Sequence, residues 1–197
     1  MNVVTISGSH GAGKDTMIDS AISQLEKEFP GQVAKGLYAV TRKLRGKEKD
    51  GVDLIYMTPE EFKRKKDAGE LFYFDTIRDY LVGSPREEYK KAKYVISNLA
   101  EAGIPKLKEW VKSEGGESLS IYLTAPRSSR HSRISLRESI LIPEIVDDRL
   151  DHDISSEYPK HPEDYDEIIE NPEGFAEQTK EKIINSIRDF IESNEKT

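Results

Sequence analysis

Residues 8–16 read Gly8-Ser9-His10-Gly11-Ala12-Gly13-Lys14-Asp15-Thr16, a run of residue types suited to holding phosphate. Glycines let successive backbone N–H groups curl around an anion, a helix starting there adds the positive end of its dipole, and Lys14 brings an ammonium to a transferring phosphoryl. The spacing fits G-x-x-x-x-G-K, the P-loop pattern, with the hydroxyl residue one place late. Where Ser or Thr normally ligates magnesium, this chain has Asp15. Either Asp15 holds the metal's water shell or Thr16 supplies the hydroxyl. Gly8, Ser9, His10, Gly11, Ala12, Gly13, Lys14, Asp15 and Thr16 are therefore the candidate site for ATP and Mg2+, with Asp15 and Thr16 the candidate metal donors. His10 reads as a loop filler, because phosphoryl transfer depends on positioning and charge.

Two arginine clusters could hold further anions. Arg42 and Arg45 lie at i and i+3 near the end of a strand-like piece, with no acid immediately beside either. Their planar forks match a phosphate. Arg127, Arg130, Arg133 and Arg137 fall close to one helical face, with His131 between them and no acid before Glu138. Such a run repels itself, so it is either a solvated basic face or one held for an anion.

The elements that must position these groups alternate. Val3, Val4, Thr5 and Ile6 read as a buried strand before the glycine loop, and Met17, Ile18, Ala21, Ile22, Leu25 and Phe29 recur at helical spacing after it. A strand follows over residues 94–97, then a helix with Ile104, Leu107, Trp110 and Val111 on one face, then a strand with Leu119, Ile121 and Leu123. Ile168 and Ile169 suggest a last strand, and a closing helix buries Ala176, Thr179, Ile183, Ile184, Ile187 and Ile191. Strands alternating with helices predict an α/β chain with a parallel central sheet. Residues 41–89 break the alternation with three short strand-like pieces, which predicts a small inserted subdomain. Trp110 reads as core, and His152 and His161 match no metal pattern.

The 197 residues fit one domain. Hydrophobic residues at 36% and charged residues at 34%, in short interspersed runs, disfavour disorder and membrane insertion. A net charge of −7 repels nucleic acid, so any anion must be captured by a local cluster. The chain has no cysteine, which excludes disulfides and thiolate metal sites. A cytoplasmic location is the default expectation, as a monomer or homodimer.

Other P-loop classes fit poorly. The sequence has neither the Asn-Lys-x-Asp nor the Asp-x-x-Gly of a GTPase. The strand at residues 94–97 is followed by Asn98, and that beginning near Leu119 ends in Thr124-Ala125, where a motor ATPase would carry an acid. A kinase of small molecules remains.

Val40-Thr41-Arg42-x-x-Arg45-x-x-Glu48-x-x-Gly51, then Ile55-Tyr56 and Pro59-Glu60-Glu61-Phe62, resembles the acceptor-binding segment of guanylate kinases. Gly83-Ser84 and Tyr165-Asp166-x-Ile168-Ile169-x-Asn171 extend the resemblance over nearly the whole chain. It implies a three-layer P-loop NTPase fold, with a core over 1–40, 90–125 and 155–197. An acceptor-binding insert would span about 41–89, and an arginine-rich lid about 126–152. It also implies that Arg42 and Arg45 clamp the acceptor's phosphate, that Glu48 belongs to that segment, that Ser84 lies at the acceptor, and that Asn171 lies near adenine. Lid arginines, among them Arg130 and Arg137 with Arg149 as a returning arm, would close over the phosphates.

The chain departs from that family's pattern where guanine is read. Leu54 and Val82 replace tyrosines, Tyr73 replaces a glutamate, and Ser97-Asn98-Leu99-Ala100 lacks the usual acids. Phosphate recognition is retained, and guanine recognition reads as lost or rebuilt, with Asp75 the nearest replacement carboxylate beside Tyr73. The expected partner is a nucleotide or sugar-phosphate substrate. Lys14-Asp15 followed by a hydroxyl residue, together with Asn98, is also similar to ribose 1,5-bisphosphate kinases. A non-catalytic binding module of guanylate-kinase type is a third reading.

Overall fold

The computed structural model describes residues 1–44, 48–137 and 158–196. Arg45 and Arg149 lie outside them, as do the Arg137 side chain and the expected lid from residue 138.

Five parallel strands make the central sheet: β1 (Asn2–Gly8), β2 (Val33–Gly36), β7 (Tyr94–Ser97), β8 (Ser118–Thr124) and β9 (Glu167–Glu170), in the order β2-β7-β1-β8-β9. β1 shows why the sheet is buried on both faces. Val4 and Ile6 point into a cluster with α1 (Lys14–Glu28) and α5 (Ala176–Glu195), through Met17, Ile18, Leu25, Ile183 and Ile187. Val3 points the other way, into a cluster with Ile104, Leu107 and Trp110 of α3 (Ile104–Ser113). Alternate residues of a strand face opposite sides, so an unbroken apolar run requires helices on both. Three layers result.

A second sheet carries β3 (Ala39–Val40), β4 (Ile55–Tyr56), β5 (Leu71–Ile77) and β6 (Tyr80–Pro85), in the order β4-β3-β6-β5. The β5–β6 hairpin turns through Arg78, a non-glycine residue at φ +56°. α2 (Pro59–Asp67) begins at Thr58, whose hydroxyl accepts from the Glu61 N–H while Glu61 accepts from the Thr58 N–H, a capping box. Phe62 then packs with Ala39, Met57 and Leu71 beneath this sheet.

The second sheet is joined to the first through aromatics. Phe72 stacks on Trp110 at 5.0 Å and meets Tyr89 edge-on at 4.8 Å. Trp110 is core, as its helix face predicted, and it fixes the second sheet to α3.

Candidate active site

The glycine loop joins β1 to α1, the strand-loop-helix context its motif requires. Gly8 sits at φ +140°, and a Cβ there would lie 2.0 Å from the Leu123 carbonyl oxygen of β8, so only glycine fits. Gly13, at φ +101°, is the N-cap of α1 and provides no side-chain cap. The first amides of α1 therefore keep the orphan donors that make a helix N-terminus an anion site. Lys14 Nζ donates to the carbonyls of Gly8 and Ser9 at 2.5 and 2.9 Å, which holds its charge over the loop.

Asn171, just beyond β9, closes the loop from behind. Its Nδ2 donates to the Ala12 carbonyl at 2.8 Å, and its buried Oδ1 has no partner among the described residues. α4 (Arg127–Arg137) lies against the same loop, and a Cβ on Gly11 would meet the Arg130 backbone at 2.9 Å. Arg130 is 3% exposed, donates Nε to the Ala125 carbonyl at 3.1 Å, and buries Nη1 without a partner among the described residues. A buried cationic donor left unsatisfied is costly unless an anion completes it.

Asp15 and Thr16 are exposed in the first turn of α1. Asn98 Nδ2 donates to Asp15 Oδ1 at 3.4 Å, across from the end of β7. These hard oxygens fit magnesium, which keeps several waters and uses one or two carboxylates plus substrate phosphates.

The segment expected to bind the acceptor is organised around Arg42. Its Nη1 and Nη2 donate to Glu48 at 2.6 and 2.8 Å, a bidentate pair that sequence neighbours do not disclose. Tyr80 lies with its ring centroid 5.7 Å from the guanidinium. Burial, then the charges of Asp15 and Glu48, push the Tyr38 hydroxyl up to about 12.

Tyr73 is buried and donates its hydroxyl to Asp75 Oδ2 at 3.1 Å; burial and then the Asp75 charge raise its pKa. Ser84 is buried opposite Tyr73. Beneath it the Tyr89 hydroxyl meets Ser97 Oγ at 2.9 Å. Sequence reasoning passed over Tyr38, and it grouped Arg133 with its neighbours without seeing that Arg133 reaches the glycine loop and residues 171–172 together.

The sequence model of the guanylate kinase family, described as "Guanylate kinase", matches residues 1–194. The chain belongs to the guanylate kinase family. It is a nucleotide kinase, a phosphotransferase. A guanylate kinase of Salinibacter ruber is 26% identical over 98% of both chains. One from Porphyromonas gingivalis is 27% identical over 129 residues, covering 63% of this chain and 65% of that one. The crystal structure of guanylate kinase from Anaplasma phagocytophilum superposes with a TM-score of 0.64 at 23% identity, covering 95% of this chain and 84% of that one, and shares the fold. Among the described residues no helix is long and apolar enough to cross a membrane.

Proposed function

We propose that the chain transfers the terminal phosphoryl of ATP to a nucleoside monophosphate, with GMP the reference acceptor because its relatives are named guanylate kinases. The observation that carries this reading is the glycine loop, held between β1 and the uncapped start of α1 with Lys14 folded over it. Loop amides and Lys14 bind the donor's phosphates, and Asn171 Oδ1 accepts from the adenine amine. Asp15 or Thr16 would hold magnesium, which neutralises charge on the phosphates when bound. Arg42, oriented by Glu48, takes the acceptor's phosphate together with Arg45, within the insert over residues 41–89. Arg130, Arg137 and Arg149 serve as lid arginines that exclude water and balance charge. Tyr73, Asp75 and Ser84 form the base side of the acceptor pocket. The reading implies a cytoplasmic enzyme working on free nucleotides.

A coupled assay of ADP release against a panel of monophosphates tests it. Turnover is expected with at least one nucleotide, GMP first. Silence with every nucleotide, but turnover of ribose 1,5-bisphosphate, would overturn the acceptor assignment.

A further inference from the structure

Arg133 of α4 is engaged by four backbone carbonyls. Nη1 donates to the carbonyls of Gly11 and Ala12, both at 3.3 Å, and Nη2 to those of Asn171 at 2.9 Å and Pro172 at 3.3 Å. One fork therefore ties the glycine loop to the turn after β9. Burial lowers the Arg133 pKa, opposed by Glu173, so the charge sits in a partly dry place where its field is stronger.

The consequence follows from peptide geometry. In a trans peptide the carbonyl and the N–H point opposite ways. A cation behind the carbonyls of Gly11 and Ala12 turns the N–H groups of Ala12 and Gly13 away from itself and makes them better donors. The Ala12 N–H closes a turn onto the Ser9 carbonyl at 3.2 Å, whereas the Gly13 N–H opens the start of α1. The Ala12–Gly13 peptide is held twice over, because Asn171 Nδ2 reaches the same carbonyl. Gly11 packs against the Arg130 backbone, so α4 and the loop are fitted to each other.

We propose that Arg133 is a positioning residue for the phosphoryl donor: it touches no phosphate, and it fixes and polarises the 12–13 peptide that does. The inference rests on the nucleotide-kinase reading above and adds to it a residue that acts through the loop.

The test compares wild type with Arg133→Ala and Arg133→Lys by calorimetric titration with ATP and with inorganic tripolyphosphate. Steady-state kinetics and thermal melting accompany it. Arg133→Ala is expected to weaken both ligands about tenfold or more, while KM for GMP stays within about twofold. Arg133→Lys keeps the charge but cannot fork to four carbonyls, so it should fall between the two. If the alanine variant fails to fold, the lysine variant alone carries the comparison. Equal weakening of ATP and GMP would reduce Arg133 to general support and overturn the proposal. So would variants that bind tripolyphosphate as tightly as an active wild type. A wild type that binds neither ATP nor tripolyphosphate would instead overturn the kinase reading, and this inference with it.

Discussion

Asn171 and Ala12 share one hydrogen bond, Nδ2 to carbonyl oxygen at 2.8 Å, that leaves Asn171 Oδ1 buried with no partner among the described residues. The amide's orientation is thus fixed by the glycine loop, which leaves a buried acceptor in want of a donor among the described residues. The exocyclic amine of adenine is such a donor, and the 6-oxo group of guanine is not. ATP should therefore be preferred over GTP as phosphoryl donor, and Asn171→Ala should reduce the ratio of their kcat/KM values about tenfold. Gly13→Ala should do the same at a distance, because its Cβ would lie 2.9 Å from Asn171 Nδ2 at φ +101°. Donor competition kinetics on both variants check this; an unchanged ratio would remove Asn171 from base recognition.

Lys14 separates folding from chemistry. Its ammonium bonds two loop carbonyls, and its removal takes no volume from the clusters that hold the sheet. Lys14→Ala should lower kcat about 10²- to 10³-fold, the usual loss for one preorganised charged donor. The melting temperature should stay within about 3 °C of wild type. Retained activity would exclude this lysine from the transfer step.

The glycine loop and β1 were legible because both signals are local: an anion-binding motif directly behind an apolar run. β2 was not, since Val33-Ala34-Lys35-Gly36 carries one strongly apolar residue. Its place beside β7 depends on Gly36, where a Cβ would come within 2.8 Å of Val95. α2 announces itself by Thr58, Pro59 and Glu61, yet it buries Phe62 alone and shows no periodic face. The Arg42–Glu48 pair spans a loop, so no helical or strand spacing marks it. Arg133 carries the same letter as Arg127, Arg130 and Arg137, and only the packing of α4 on two distant loops distinguishes it.

Stability should carry a pH signature from the pair that links α1 to α5. Arg188 donates Nε and Nη2 to Glu28 at 2.6 and 2.8 Å, and with Gln24 it lowers the Glu28 pKa from 4.5 to about 2. A depressed folded-state pKa stabilises above the unfolded value and is lost as pH falls through the folded one. The pair is partly open to water, so its contribution is under about 1 kcal/mol. Glu28→Gln should be slightly less stable than wild type at pH 7, and the gap should close between about 4.5 and 2. Urea denaturation across that window measures it; a constant gap would show that the charge is not responsible.

Arg42 and Glu48 pose the question of whether a buried pair serves the fold or the substrate. Their side chains are 12% and 24% exposed, and Arg42 Nε is buried without a partner among the described residues, so Glu48 occupies only part of the guanidinium. If the rest receives an acceptor phosphate, Arg42→Ala should raise KM for the monophosphate about 10²-fold while KM for ATP stays within about twofold. Arg42→Lys should not rescue it, because a point charge cannot present the fork. Arg42→Ala also takes the bidentate partner from the half-buried Glu48 carboxylate, which costs stability on its own account. Adding Glu48→Gln removes that charge, so the double variant should regain stability without regaining acceptor affinity. Recovery of both would assign the pair to the fold; recovery of stability alone assigns Arg42 to the acceptor.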